Sequence, residues 1–305
     1  MRVRYMRKDL PCLALGLFLG FQTCALIEER FTKQIAMPAF TTLFEMVGLA
    51  LCLRLGAPGL VQRTAPIPSH LLVAGTLTIA QGLTGWSLLF IPLPTQLMIK
   101  SLKLPAVVLA HAIYKRNMPS TRDLLCSFLL ASGAFLFSLG HSSEDQTDIR
   151  GVAIVLGSLV FDAVHAVLQE DLLRKIGASE AESVFYTYSY GSVFALIGVV
   201  VNREVTRASR VFYQQPGMIF ALTLRSASMF LGIWSFTTIV KRFGIINATV
   251  VATSRKVCTI LASFLLFPKL LSSIHLIAIL CFVTGIYVKT SESRHSMTKE
   301  ESDGV

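Results

Sequence analysis

Five basic side chains lie inside strongly apolar stretches of the sequence. They are Lys100, Lys103, Arg225, Arg255 and Lys256. A charge at the centre of a membrane costs about 2.5–3.5 kcal/mol on insertion scales. Glu45 and Asp162, the acids in comparable positions, can offset two of the five charges at most. The remaining excess predicts a water-filled cavity that binds an anion.

The basic residues form two groups that can hold one ligand. Lys100 and Lys103 are three positions apart, so a continuous helix presents them on one face. Lys103 matches Lys256 in the second half of the chain, and both are assigned to the anion site together with Lys100 and Arg255. Arg255 has a second interpretation, in which its long side chain reaches the membrane surface. Arg225, near the start of its stretch, is not assigned.

Further polar residues at similar depth can donate to the same anion or accept from it. They are Thr95, Gln96, Ser101, Gln169, Glu170, Thr253 and Ser254. Tyr186 and Tyr188 are candidates for stacking on a base or donating to a phosphate. Because Tyr186, Tyr188 and Tyr190 alternate, they cannot all share one helical face. At least one of them is expected to pack or to lie at the membrane interface.

Ten apolar stretches of near-spanning length must position these residues. They are Leu10–Ile27, Met37–Leu53, Leu71–Phe90, Pro94–Tyr114, Leu124–Gly140, Gly151–Leu168, Val184–Val201, Gly217–Val240, Asn247–Phe267 and Leu271–Val288. The first could be a signal peptide, but no small-residue cleavage pattern follows it, so it is taken as a span. The sequence therefore predicts an all-α integral membrane protein with one transporter domain over residues 1–305.

Composition supports this fold class and excludes others. The chain is 53% hydrophobic and 15% charged, with a mean hydropathy of +0.63 and a net charge of +10. Such a chain is too poor in charge for a soluble nucleic-acid-binding domain or a disordered protein. Ten spans place sixteen Lys and Arg on the N-terminal side and seven on the other, so both termini are expected in the cytosol. The loop Asn202–Gln215, with three arginines, violates this rule.

The two halves of the chain resemble each other. Ser101-Leu102-Lys103 and Ser254-Arg255-Lys256 are 153 positions apart. Residues 1–150 and 151–290 would each hold five spans, and an odd number gives the halves opposite orientations. Such 5+5 inverted repeats are typical of secondary transporters, whose sites lie between the halves. The alternative is that any two apolar helices look alike. Residues 291–305 are expected to form a disordered cytosolic tail.

Four motifs resemble the nucleotide-sulfate and nucleotide-sugar transporters of the solute carrier 35B group, in the drug/metabolite transporter superfamily. Pro94–Pro105 is similar to their P-T-Q-x-x-x-K-S-x-K…P signature, and 162–170 to D-A-x(5)-Q-E. The segments 186–191 and 253–261 resemble Y-S-Y-S-x-G and T-[GT]-R-K…T-I-L. Val167 departs from the usual Asn of the second motif, and Ser254 from the usual Gly or Thr of the fourth.

The resemblance implies a ten-span antiporter of the Golgi or endoplasmic reticulum membrane. Such a protein brings an activated donor from the cytosol to the lumen and returns a spent nucleotide. The run from Gln169 to the tyrosines is similar to transporters of 3′-phosphoadenosine 5′-phosphosulfate, and UDP-galactose or UDP-N-acetylglucosamine is the alternative. The expected partners are the small anionic nucleotide and the lipid bilayer, with no nucleic acid and no cofactor. Homodimerisation is left open.

Two other function classes fit the sequence less well than transport. A membrane enzyme needs an acid–base pair or metal ligands at membrane depth, but His111, His165 and His275 are scattered without ligand spacing. The six cysteines lie in apolar stretches without metal-binding spacing. A receptor that binds the nucleotide without moving it does not need an inverted repeat. Both classes are therefore less consistent with the sequence than transport.

Overall fold

The computed structural model describes residues 2–27, 37–56, 59, 61–91, 93–116, 118–139, 148–214, 217–266, 277–281, 283–285 and 287–288. Within these residues all regular structure is helical. The predicted all-α fold class is confirmed for this part of the chain. The predicted tail at 291–305 and the side chain of Lys256 lie outside the described residues.

The helices follow the apolar stretches of the sequence. They are α1 (Arg2–Ile27), α2 (Pro38–Gly56), α3 (Ile67–Ser87), α4 (Leu93–Lys100), α5 (Lys103–Lys115), α6 (Thr121–Leu139), α7 (Ile149–Glu170), α8 (Glu180–Val201), α9 (Glu204–Gln214), α10 (Gly217–Phe243) and α11 (Ile245–Leu266). A π-helical turn, Asp171–Lys175, extends α7. The last predicted stretch, Leu271–Val288, is helical at 277–281, 283–285 and 287–288.

Four helical segments in the described ranges are long and apolar enough to cross a membrane. They are Pro38–Gly56, Ile149–Lys175, Glu180–Val201 and Gly217–Phe243. Their outward faces carry exposed apolar side chains such as Leu51, Val160, Leu196 and Phe220. Such exposure is expected when lipid, not water, is the solvent. The molecule is therefore described as a helical membrane protein, and the full count of ten spans stays a prediction.

The predicted stretch Pro94–Tyr114 is two helices, not one. α4 ends at Lys100 and α5 begins at Lys103, with Ser101 and Leu102 in a turn. Pro105 explains the break, because it has no N–H to donate to the carbonyl of Ser101 and its ring clashes with that carbonyl. The expectation that Lys100 and Lys103 share the face of a continuous helix is wrong on this point.

Helices from the two halves of the sequence pack closely. α1 contacts α10, α3 contacts α7, and α2 contacts α8. Glycine allows the closest of these crossings. A Cβ built on Gly20 of α1 would lie 2.4 Å from the backbone nitrogen of Gly232 in α10. Gly16 and Gly20 are one turn apart, the small-residue spacing that lets membrane helices approach each other.

A buried carboxylate fixes the loop before α3. Glu182, with no exposed surface, accepts hydrogen bonds from the backbone N–H groups of Thr64 and Ala65, each at 2.7 Å. It also accepts from the Thr64 hydroxyl at 2.6 Å and lies 3.1 Å from Nε2 of His70. Glu182 belongs to α8, so this contact joins the two halves of the chain at one end of the bundle.

Candidate functional site

One carboxylate on α7 binds both lysines at the break between α4 and α5. Nζ of Lys100 lies 2.5 Å from Oδ2 of Asp162, and Nζ of Lys103 lies 3.3 Å from Oδ1. The Lys100 side chain is 13% exposed and that of Lys103 is 37% exposed. Lys100 is thus a buried partner of Asp162, whereas Lys103 is accessible and held more loosely.

The helix break is what brings these three groups together. Lys100 is the last residue of α4 and Lys103 the first of α5, so the two ammonium groups converge from two helix ends. Discontinuous helices of this kind form substrate sites in secondary transporters, because they leave polar groups unpaired inside the membrane. The sequence predicted both lysines at the site but did not predict the break.

The position of Asp162 along α7 places this cluster well inside the bundle. The residue is thirteen positions from Ile149 and eight from Glu170. At 1.5 Å per residue, these separations correspond to about 20 Å and 12 Å. A helix of this length matches the ~30 Å hydrocarbon core of a bilayer, so Asp162 lies near the middle third.

The charge of this region is only partly neutralised. A single Asp162 carboxylate faces two lysines, so the cluster retains one positive charge. Arg225 is satisfied elsewhere, since its Nη1 lies 2.9 Å from Oε2 of Glu45 and both side chains are at most 10% exposed. This contact supports leaving Arg225 outside the anion site, and it joins α10 to α2.

The second basic group lies on a helix that packs against α5. Leu104 and Val108 of α5 form a core cluster to which Val250 of α11 contributes. Arg255 is half-buried on α11, with its guanidinium 5.1 Å from the ring centre of Phe21 in α1. This cation–π contact places Arg255 inside the bundle and not at the membrane surface. The backbone of Lys256 follows in the same helix.

Two predicted polar residues of the α4 region bond to neighbouring helices. Gln96, 4% exposed, donates from Nε2 to the Thr84 carbonyl at 2.6 Å and to the Ser87 hydroxyl at 2.7 Å. Ser101 is buried, and its hydroxyl donates to the Ala131 carbonyl at 3.4 Å. Both therefore hold α4 and the turn in place. Thr95 is half-buried on α4 beside Gln96.

The predicted polar residues at the end of α7 and in the middle of α11 are buried or half-buried. Gln169 donates from Nε2 to the hydroxyl of Thr237 on α10 at 3.5 Å. The hydroxyl of Thr253 donates to the Thr249 carbonyl one turn earlier, at 2.8 Å. Ser254, the neighbour of Arg255, is half-buried.

Glu170 lies at the centre of a separate ionic cluster about 12 Å along α7 from Asp162. It is 2% exposed and contacts Nε2 of His111 at 3.1 Å, Nζ of Lys115 at 3.6 Å and Nη1 of Arg174 at 2.9 Å. The structure thus places two cations, Lys115 and Arg174, and the His111 ring around Glu170. It does not place Glu170 beside the lysines of the α4–α5 break.

The tyrosines of α8 divide into two environments. Tyr188 is 7% exposed and packs in an apolar cluster with Met46 and Leu49. Tyr186 and Tyr190 are four residues apart and stack on each other, with ring centres 5.9 Å apart. Tyr186 also lies 5.0 Å from the His70 ring. The pair that shares a face is therefore Tyr186 and Tyr190, and the sequence assignment had not included Tyr190.

Asp162 is the principal site residue that the sequence assignment omitted. Its signal was present, because it is one of two acids within the apolar stretches. From the sequence it is only a general counter-charge, because contacts across the bundle cannot be deduced from spacing along one chain. His165, one turn further, faces α3, where its Nδ1 lies 3.1 Å from the Val73 carbonyl.

Comparison with known proteins identifies the family of this helical bundle. Residues 10–293 match the UAA transporter family. The chain belongs to this family. It is a family of transporters, so the choice between a transporter and a membrane enzyme is decided for the transporter. The match also agrees with the resemblance carried by the four sequence motifs.

Individual relatives carry two kinds of name. "Adenosine 3′-phospho 5′-phosphosulfate transporter 2" of Caenorhabditis briggsae is 31% identical over 210 residues, 68% of this chain and 58% of the relative. The human protein of the same name is 26% identical over 88% of this chain and 65% of its own length. "UDP-galactose/UDP-glucose transporter 4" of Arabidopsis thaliana is 28% identical over 90% of this chain and 80% of its own length.

The chain thus spans 58% of the length of the nematode relative. The match to a solved structure, in contrast, concerns the fold alone. One crystal structure matches with a TM-score of 0.70, over 94% of this chain and 98% of its own chain. The sequence identity is 14%. The helical bundle is therefore an architecture already seen in a crystal.

Proposed function

We propose that this protein is a secondary antiporter that moves 3′-phosphoadenosine 5′-phosphosulfate from the cytosol into the Golgi lumen in exchange for a nucleoside phosphate. The observation that carries the proposal is the cluster of Lys100, Lys103 and Asp162 at the broken helix, in a member of a transporter family. The names of several relatives favour this cargo.

Lys103 is the proposed first contact for a phosphate or sulfate group. Its ammonium is more exposed than that of Lys100 and lies farther from Asp162. An anion can accept a hydrogen bond from the Lys103 ammonium while Lys100 keeps Asp162 in place. Arg255 and Lys256 would bind the other charged groups, because charge-assisted hydrogen bonds are strong where water is excluded. Thr95, Ser254 and Tyr186, each half-buried, would contact the rest of the nucleotide.

Other predicted contacts have a supporting role in this proposal. Gln96, Ser101, Thr253 and Gln169 already bond to neighbouring helices. Tyr188 packs in the core. These residues would shape the site, and a nucleotide could bind them only by displacing an existing contact.

The contacts between helices support a 5+5 inverted repeat. In such a repeat each span of the first half corresponds to the span five places later. Here α1 corresponds to α7, and α3 corresponds to α10. The contact of α1 with α10 is therefore equivalent to the contact of α7 with α3, and both are present. The same correspondence maps the contact of α2 with α8 onto itself. We propose that these two halves rock around the basic cluster, as in alternating access.

The excess of positive charge supports an exchange mode of transport. The inferred site holds more cations than acids, so an empty site would cross the membrane interior as a net charge at high cost. A returning nucleoside phosphate supplies the missing negative charge. The proposal therefore requires an anion in both directions, which is antiport.

UDP-galactose or UDP-glucose is the second candidate cargo. The Arabidopsis relative with that name covers more of this chain and more of its own length than the phosphosulfate transporters described above. The phosphosulfate carries a phosphate–sulfate anhydride and a separate 3′-phosphate, whereas the UDP-sugars carry a diphosphate. Both are multiply charged anions, so the basic cluster alone does not separate them. The base and the terminal sulfate or sugar distinguish the two.

The proposed location is the Golgi membrane, with the endoplasmic reticulum membrane second and both termini in the cytosol. Phosphosulfate donors are made outside the lumen in this scheme and must cross to reach luminal acceptors. The orientation is supported by the surplus of Lys and Arg on one side of the sequence topology. A homodimer is compatible with the proposal, and each chain would contain a complete site.

A counterflow screen tests the proposed function. Purified protein in liposomes is preloaded with adenosine 3′,5′-bisphosphate, UMP or buffer, and uptake of labelled phosphosulfate and UDP-sugars is measured. Stimulation of phosphosulfate uptake by the preloaded adenosine nucleotide is expected. Stimulation of UDP-sugar uptake alone would favour the second candidate. No stimulation by any nucleotide would overturn the antiport proposal.

A further inference from the structure

The loop that violates the charge rule contains an amphipathic helix. α9, Glu204–Gln214, joins two helices that are long and apolar enough to cross a membrane, α8 and α10. The end of α8 and the start of α10 must therefore lie at the same membrane surface. At about 1.5 Å per residue, α9 is ~16 Å long, too short to cross, and it carries several charges. It must run along that surface.

One face of α9 is fixed against the bundle. Glu204 and Ala208 are buried, and the Glu204 carboxylate accepts a hydrogen bond from the backbone N–H of Phe40 at 2.7 Å. Phe212 packs edge-on against the Phe40 ring, with centres 5.3 Å apart. These contacts seat α9 on the first turn of α2. The acid within α9 thus faces inward and does not screen the opposite side of the helix.

The exposed side of α9 is basic. Arg207 and Arg210 are exposed and lie three residues apart, which places them on one face. Arg203 is exposed in the turn just before α9 and adopts a left-handed φ of 52°. This conformation is uncommon for a side chain of its size. In the described part of the chain, the recorded ion pairs include none of these three arginines.

The lipid boundary lies directly beside these arginines. Val201, at the end of α8, is 73% exposed, and Phe220, in the first turn of α10, is also 73% exposed. Such apolar side chains need acyl chains around them. Tyr213 of α9 is 91% exposed, and tyrosine favours the membrane–water interface. The arginines consequently lie at the level of the lipid headgroups.

We propose that the arginine face of α9, defined as Arg203, Arg207 and Arg210, binds the headgroups of anionic phospholipids. Guanidinium groups bind phosphate oxygens in a bidentate manner, and an interfacial helix with arginines on its polar face is attracted to anionic lipid. This contact explains why three basic residues are concentrated in a loop on the side that is otherwise poor in them. It does not depend on which nucleotide is transported.

The test measures lipid selectivity of the purified full chain in a neutral detergent. Phosphatidylserine or phosphatidylcholine is added at equal mole fraction, and the retained lipid is counted by native mass spectrometry. The variant is Arg207→Gln with Arg210→Gln, and a second variant replaces both residues with Lys. Arg150→Gln is the matched control, because Arg150 is exposed at a helix end on the same predicted side.

The wild-type chain and the Arg150→Gln control are expected to prefer phosphatidylserine. The double Gln variant should lose this preference by roughly tenfold or more, and the double Lys variant should keep most of it. Added salt should weaken the preference. An unchanged preference in the double Gln variant would overturn the proposal. Displacement of the lipid by an equal concentration of inorganic phosphate would also overturn it, in favour of a site for free phosphate.

Discussion

At the scale of single residues, one acid determines the character of the central cluster. Asp162 contacts two lysines whose environments differ: Lys100 is nearly enclosed and Lys103 is partly open. A buried pair of this kind contributes little net stability, but removing one partner leaves the other charge uncompensated. Asp162 therefore compensates the charge of the buried Lys100 inside the membrane and leaves Lys103 available to a ligand.

Asp162→Asn is expected to destabilise the ligand-free protein. The amide cannot offset the charge of Lys100, which stays buried in the bundle, so the cost should be on the order of 3 kcal/mol. Thermal unfolding in detergent measures this change. Asp148→Asn is the control, because Asp148 caps α7 from outside the bundle and Asn caps a helix equally well. An Asp162→Asn variant as stable as the control would contradict the role assigned to Asp162.

At the scale of helices, the break between α4 and α5 positions both lysines. The sequence contains its cause, Pro105, but a proline inside an apolar stretch either kinks a helix or ends it. The neighbours decide which occurs. Here Ser101 and Gln96 are held by α6 and α3, so the turn is fixed from both sides. These contacts come from distant parts of the chain, which is why sequence spacing suggested a continuous face.

Pro105→Ala tests the importance of this break. Alanine restores the backbone donor, so α4 and α5 can join into one helix and carry Lys100 away from Lys103. We expect nucleotide uptake into liposomes to fall strongly while thermal stability is kept or raised. Pro68→Ala is the control, because Pro68 lies in the first turn of α3, where no helical bond is lost. Normal uptake by Pro105→Ala would show that the break is dispensable.

α1 and α10, helices of the two halves, cross closely at Gly20. Gly20→Ala would place a methyl carbon 2.4 Å from the backbone nitrogen of Gly232. Backbone atoms cannot move aside as the end of a flexible side chain can. We expect a loss of about 1–3 kcal/mol from overpacking. Gly82→Ala is the matched control on α3, where the new methyl group meets open space. Equal unfolding temperatures for the two variants would contradict the packing described here.

How far the sequence predicts the structure differs between elements. The apolar stretches predicted the positions of α1, α2, α3, α6, α7, α8, α10 and α11, because hydrophobic length is a local property. The sequence did not predict α9, because counting apolar stretches assigns an arginine-rich segment to a loop. The pairings of Asp162, Glu45 and Glu170 were also beyond prediction, because each depends on which helices become neighbours.

At the scale of the molecule, charge separates into three regions with different roles. The middle of the bundle holds the Lys100–Asp162–Lys103 cluster, one end holds the cations around Glu170, and the surface near α9 holds exposed arginines. Buried basic groups with too few acids predict an anionic cargo. Exposed basic groups beside lipid predict an anionic surface. In this proposal the basic residues behind the net charge of +10 serve to bind the cargo, to set the orientation in the membrane and to contact lipid.

The most direct test of the central claim compares uptake by Lys103→Ala and Lys256→Ala with uptake by the wild type. Equal amounts of folded protein in liposomes preloaded with nucleoside phosphate are given labelled 3′-phosphoadenosine 5′-phosphosulfate. Lys175→Ala is the control, because Lys175 is the last residue of the π-helical turn that extends α7, far from the cluster, and its side chain is 76% exposed. We expect Lys103→Ala and Lys256→Ala to abolish uptake while the control transports normally. Normal uptake in both variants would contradict the assignment of the anion site.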